Sequence, residues 1–300
     1  MSHEAIHNLD RRNRADEIAE TAEKLLGRHE TVSSLLEQAS INPLELIDES
    51  DPNDIYSLER VQRDLNRVEE RNQQFAEGDR EKLPNGLTKA EVYKLAEIAE
   101  YDILRGINMG NWIPSGRALV TSEYDDVFNG IDMVLEVGQK EGPIGHYGLA
   151  VDVSFSQNLN AKFQRIKNEI DSFDNERNRL GRVKYFKSRK AGIRGELSGI
   201  PRVVAALDLP AMEDMAVKSD RLEGHIGQAL LIENMERQLA TFHEYAQDVN
   251  PACAPQFERS LAMVRAVDQM TGASERLSET EYTKNDGARE AVDRGLSLFT

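Results

Sequence analysis

The chain has 300 residues, 39% of them hydrophobic, with a net charge of −16, which suffices for a real core and predicts about two domains. Its single cysteine, Cys253, excludes an intrachain disulfide and a cysteine-based metal cage. No apolar run approaches the ~20 residues that cross a bilayer, and the first residues lack the apolar stretch of a signal peptide, so a cytoplasmic protein with no membrane partner is expected.

The first third reads as helices. Ile18, Ala22, Leu25 and Leu26 recur at helical spacing, and so do Val32, Leu35 and Leu36 after a break at Gly27 to His29. Beyond the acidic turn, Ile55, Leu58, Val61, Leu65 and Val68 form a heptad-like stripe. Such a stripe needs a partner, either a second helix of the same chain in a hairpin or another copy in a homodimer. The polar linker around Pro84 and Gly86 marks a boundary. Thr88 then caps a helix to about Arg105, with Val92, Leu95, Ala96, Ala99 and Ile103 inward.

After Gly106 the texture changes. A turn at Asn129-Gly130 leads into the apolar run Ile131 to Val137, and YGLAVDVSFS alternates, so a strand pair or meander is predicted. Helical spacing returns through Phe163, Ile166 and Ile170, followed by strands at RVKYFKS and IPRVVAAL. A long helix from Met212 to about Gln247 and another from Gln256 to Met270 come next, and the polar end reads as a mobile tail. The predicted class is α+β, a mostly helical chain with a central mixed β-sheet domain flanked by helices. The predicted divisions are a helical region over 1–85, an α/β domain over 86–210, a helical region over 211–275 and a polar tail over 276–300.

Charge is unevenly spread. Between Asn160 and Arg202 there are 12 Lys and Arg against five Asp and Glu, a local +7 that leaves −23 for the remainder. Arg177, Arg179, Arg182, Lys184, Lys187, Arg189 and Lys190 crowd this stretch, interleaved with Tyr185 and Phe186, so it is the candidate for contact with nucleic acid, DNA or RNA. A solvated charged face is the plainer alternative. Alternation assigns Tyr185 to the core rather than to base stacking.

Asp132 in GIDMVLE and Asp152 in LAVDVSFS are carboxylates inside apolar strands. Desolvating an ionised carboxylate is costly unless a cation or donors compensate, and a shared divalent metal is one compensation. Each could instead face solvent from a half-buried strand.

An acidic helix, two strands each carrying an Asp, a second helix and two more strands together resemble the PD-(D/E)XK nuclease superfamily over roughly Leu87 to Leu209. The resemblance implies a restriction-endonuclease-like core with Glu97 or, nearer the edge of the buried stripe, Glu100 as the helix acid. It implies Asp132 and Asp152 as the strand acids, and Asp126 is an accessory ligand or, with Asp125, a turn former. The family's lysine two positions after the second acid is here Ser154. Some members carry that lysine on the following helix, where Lys162 and Lys167 flank the apolar stripe, Lys162 nearer the start. The implied chemistry is Mg²⁺- or Mn²⁺-dependent phosphodiester hydrolysis, with Glu100, Asp126, Asp132 and Asp152 around the metal and a lysine near the attacking water. A non-catalytic relative binding nucleic acid or protein, and an acidic helical scaffold recruiting a basic partner, are the alternative readings.

Overall fold

A computed structural model describes residues 17–48, 50, 51, 54–78, 83, 86–138, 144–153, 158–174, 176, 179–218, 222–278 and 287–300, with side chains at 75–78, 138, 144–153 and 158 outside that description. Helix α1 covers 17–26, and α2 (His29–Ala39) follows after a turn at Gly27 and Arg28. Both lay their apolar stripe, Ala22, Leu25, Val32 and Leu36, onto the main core. Leu35 stays partly open. Helix α3 (Leu58–Gly78) begins only at Leu58, so Ile55 and Leu58 are exposed and Val61 and Val68 carry its contact. The partner of its first half is not a second α-helix but a 3-10 turn, Pro43–Leu46, and strand residues beyond it. Val61 and Leu65 pack with Leu46, Tyr56 and Tyr185, and the buried Asp64 accepts from Tyr185 Oη at 2.7 Å and pairs with Lys184 Nζ.

Thr88 caps α4 (Lys89–Asn108) as its sequence predicts, in a reciprocal capping box with Glu91. Val92, Leu95, Ile98, Ala99 and Ile103 face the core, and Trp112 folds back over Gly106, where even a methyl group would meet its ring at 2.4 Å. The sheet that follows contains β1 (Gly116–Val120), β2 (Met133–Gly138), β3 (Ile144–Val153) and, after α5 (Asn158–Asp171), β6 (Arg202–Leu207). Its order is β1-β2-β3-β6, antiparallel except for the β3–β6 pair. The fold is therefore α+β and mostly helical around a mixed sheet. A separate hairpin, β4 (Gly181–Ser188) with β5 (Ile193–Ile200), is inserted between α5 and β6 and covers Ile131, Val134 and Leu119. β1 and β5 escape the periodicity: β1 is short, and β5 is interrupted by Gly195 and Gly199 at positive φ.

Both outer strands are closed by a side-chain amide. Asn108 accepts from Ala118 N–H at 2.9 Å and donates to its C=O at 3.0 Å, and Gln238 does the same for Val204 with both contacts at 2.7 Å. Each amide thus stands in for one residue of a neighbouring strand.

The helices behind the sheet are α6 (Leu209–Val217), α7 (Ile226–Val249), α8 (Ala254–Thr271), α9 (Ala273–Ser278) and α10 (Gly287–Leu296). The single long helix predicted from Met212 is divided, because His225 starts a new cap with its ring accepting from Gly227 N–H at 3.0 Å. The chain's end is not a free tail. α10 buries Ala288, Ala291 and Val292, its Gly295 lets Phe163 approach closely, and Phe299 packs on Phe242 and Phe163. Small residues on one face hid this contact from a reading based on polarity. No helix among the described residues is long and apolar enough to cross a membrane.

Residues 125–129 turn as one π-helical unit rather than as strand, closed by Gly130 in the left-handed conformation (φ 60°). The buried Asp125 carboxylate accepts from Ser122 Oγ at 2.7 Å, Asn129 Nδ2 at 2.6 Å and the successive N–H groups of Lys184 and Tyr185 at 2.6 and 3.0 Å. Those two N–H groups point the same way because the pairing of β4 with β5 shifts between Val183 and Phe186, a bulge. Burial pushes the Asp125 carboxyl up and the four donors oppose it. Asp125→Ala would orphan two buried backbone donors, at about 1–3 kcal/mol each. Urea unfolding should show a loss of about 3 kcal/mol, with Asp125→Asn intermediate; a loss under about 1 kcal/mol would mean the bulge finds other acceptors.

Candidate functional site

The π-turn and the start of β2 bring three carboxyls together with α4. Asp126 follows the anchored Asp125, Asp132 immediately precedes β2, and Glu100 lies one turn beyond Glu97 on α4. Thr121 pins the Asp132 backbone, its N–H donating to Asp132 O at 3.0 Å and its Oγ1 to Ile131 O at 2.5 Å. From the opposite side α5 supplies Lys162, whose Nζ stands 3.6 Å from Asp132 Oδ2.

The electrostatics bind the group into one unit. Desolvation, then the charges of Asp132, Asp126 and Glu97, push the Glu100 carboxyl well above its ordinary value, and Lys162 opposes them. Crowding by surrounding protein, the charge of Asp132 and a hydrogen bond shared with it push Asp126 well up too, again opposed by Lys162. Asp126 nevertheless keeps an exposed surface, so solvent screens part of the crowding, and its hydrogen bond with Asp132 acts in the same upward direction. Glu100 and Asp126 thus retain protons at pH values where isolated carboxyls would release them.

Glu97 and Lys167 are placed elsewhere. Glu97 Oε2 lies 2.8 Å from His29 Nε2, while Lys167 is tied to Tyr245 and Asp171 on the far side of α5. The backbone of Asp152 pairs with Ala206 at the same end of the sheet as Asp132, and its side chain, like Ser154, lies outside the described residues. Among the described residues no three His, Cys, Asp or Glu side chains are spaced to hold a metal ion.

Two arginines beside the cluster carry no earlier signal. Arg202 is buried, donates to Gly130 O at 3.3 Å and Glu169 Oε1 at 2.8 Å, and its Nε has no partner among the described residues. Burial lowers its pKa, and the charges of Glu169 and Asp132 partly restore it. The exposed Arg165 crosses Gly130 so closely that a Cβ there would lie 2.1 Å from its Nη1. Arg165 is three residues from Lys162, the spacing of one helix face, so Lys162 could have pointed to it. The same test that singled out Asp132, a charge inside an apolar strand, applies to Arg202 in IPRVVAAL.

The basic segment divides. Arg177 lies outside the described residues. Arg179 donates to Ser198 Oγ at 3.0 Å, Arg182 pairs with Glu196 at 2.5 Å and Lys190 donates to Ser115 O at 2.7 Å. Lys184 turns inward to Asp64, between the rings of Tyr124 and Tyr185, which removes it from the outward basic face. Tyr185 is core, as its alternation predicts. Lys187 and Arg189 stay exposed.

Because Glu100 is protonated more readily in the folded chain than in the unfolded one, the folded state holds the extra proton at pH values above the ordinary 4.5. Stability from this residue is thus complete at low pH and declines as pH rises through the folded value. Glu100→Gln should flatten that decline and exceed wild type by about 1 kcal/mol near pH 8 in thermal unfolding, with little difference near pH 5. Parallel pH profiles for the two proteins would show that Glu100 is not coupled as described.

Comparison with protein-family models, with curated proteins and with solved structures finds no match to this chain.

Proposed function

We propose that the protein is a metal-dependent nuclease, hydrolysing phosphodiester bonds with Mg²⁺ or Mn²⁺. The observation that carries this reading is the meeting of Glu100, Asp126 and Asp132 around Lys162. The order α4, antiparallel β2 and β3, α5 and then further strands supports it, since the resemblance to PD-(D/E)XK nucleases implies a helix, a strand pair, a second helix and two more strands; β1 and the separate pairing of β4 with β5 are additional to that order. Lys162 on the helix after β3 also supports the reading, since it answers the absence of a lysine two residues beyond Asp152.

The donors suit the ion in type, and as Glu100, Asp126 and Asp132 are not spaced to hold it here, binding would draw them together. Carboxylate oxygens are the hard ligands that Mg²⁺ and Mn²⁺ prefer, and Glu100, Asp126, Asp132 and Asp152 would hold it. Such an ion supplies Lewis acidity at the scissile phosphodiester and acidifies nearby water. The chain's own part is positional and electrostatic. Asp125 fixes the turn that presents Asp126, Thr121 fixes Asp132, and Lys162 places a cation beside the reacting phosphate, where charge develops. Arg165, one turn along α5, offers the strand a second phosphate contact.

Calorimetric titration with Mn²⁺ tests the site. Wild type should bind and release protons as Glu100 and Asp126 ionise, so the affinity should rise with pH and the heat should vary with buffer. Asp132→Ala and Asp152→Ala should each abolish binding without unfolding the protein. Lys162→Ala should keep the metal and lower single-turnover cleavage of DNA or RNA by about 100-fold, while Lys167→Ala cleaves normally. No heat with wild type would remove the metal site, and binding without cleavage of any strand would favour a non-catalytic binder.

A further inference from the structure

A cleft of about 290 Å³ opens between the segment joining α2 to α3 and the exposed side of β1 and β4. Its lining joins an apolar floor of Ile41, Leu46 and Leu119 to the cations Arg117, Lys187 and Arg189, with Ser40, Asn42 and the carboxylate of Glu45 at the rim. Arg117, Lys187 and Arg189 are all exposed. Elsewhere on this acidic chain Arg182, Lys184, Arg194 and Arg202 each meet a carboxylate. None of the three cleft cations has an ion-pair or hydrogen-bond partner among the described residues. Three cations against the rim carboxylate of Glu45 and the buried Glu136, which is opposite Arg117 in the β1–β2 register, leave a local positive excess in a protein of net charge −16.

We infer that this cleft is a binding site for the phosphodiester backbone of a nucleic-acid strand, with Arg117, Lys187 and Arg189 on the phosphates. This rests on the nuclease reading above for the choice of strand over other phosphates. The volume falls at the lower end of small-ligand sites, enough for about one nucleotide unit. The floor gives sugar and base an apolar surface, which inorganic phosphate would not use. Arg117 is opposite Glu136 in the β1–β2 register, four residues along β2 from Asp132, so cleft and acid cluster stand roughly 13 Å apart along the sheet. A ligand reaching both is longer than a mononucleotide. Arg117 belongs to none of the basic run of the sequence; only folding sets it beside Lys187 and Arg189.

The test measures binding of a fluorescein-labelled single-stranded DNA of about a dozen nucleotides in EDTA, which keeps it independent of the metal site. The triple variant Arg117→Gln, Lys187→Gln, Arg189→Gln changes exposed side chains only, and its folding is checked by its Tm. It should bind about 10- to 100-fold more weakly at low salt, with the slope of log affinity against log salt shallower by about 2. The control, Arg63→Gln, Lys94→Gln, Arg259→Gln, removes the same charge elsewhere and should bind much more nearly as wild type. Equal affinity and slope in the cleft variant and wild type would overturn the inference. So would absence of binding by wild type, or displacement of the strand by equimolar pyrophosphate, which would assign the cleft to small phosphates. A cleft variant binding like wild type while wild type cleaves with Mn²⁺ removes the cleft and leaves the nuclease reading. Cleft-dependent binding in a protein that takes no Mn²⁺ does the reverse.

Discussion

The Asp125 carboxylate is the joint on which the α/β region turns. It is the acceptor that allows β4 to bulge, since two successive N–H groups on one side of a strand cannot both meet a ladder partner. In the same contact it holds the π-turn against the hairpin. The strand-side acids are positioned from there: Asp126 is the next residue, Gly130 closes the turn, and Asp132, two residues later, immediately precedes β2. On the other side the bulge carries Lys184 and Tyr185, and both reach Asp64 of α3. One buried carboxylate therefore couples α3, the hairpin and the sheet end that bears the acids.

The acid cluster shows the opposite economy. Asp125 is buried with four donors, whereas Glu100, Asp126 and Asp132 act on one another electrostatically, opposed by Lys162. Asp125 is satisfied by hydrogen bonds, whereas burial and neighbouring charge raise the carboxyls of Glu100 and Asp126 well above their ordinary values. That contrast, between neighbours in sequence, separates the residue that builds the turn from the residue that the turn presents.

The helices with strong periodicity, a cap and a buried stripe were legible: α4 runs from Thr88 as its capping box dictates. Asp132 and Glu100 stood out through local properties, a charge beside an apolar run and a position at a stripe's edge, and the fold brings these two carboxyls into electrostatic contact just before β2. What escaped depends on contacts distant in sequence. The stripe of α3 announced a long helical partner, yet its residues pack on the short 3-10 turn Pro43–Leu46 and, through Asp64, on β4. The polar end announced a tail, yet Gly295 and its small neighbours admit Phe163. Composition marked Lys184 as part of a basic face, and a bulge created by Asp125 and β5 turned it inward. Arg117 and Arg165 acquire meaning only from what folding puts beside them.

The two amides that close the sheet have a further effect on how the molecule can meet others. An extended peptide joins a sheet by matching the free N–H and C=O groups of an outer strand, and at Ala118 and Val204 those groups are occupied by Asn108 and Gln238. At these two positions strand addition would first have to dislodge an amide that already makes both bonds. The sheet is thereby capped against templated growth at the centre of each edge, and recognition there must proceed through side chains rather than through the backbone.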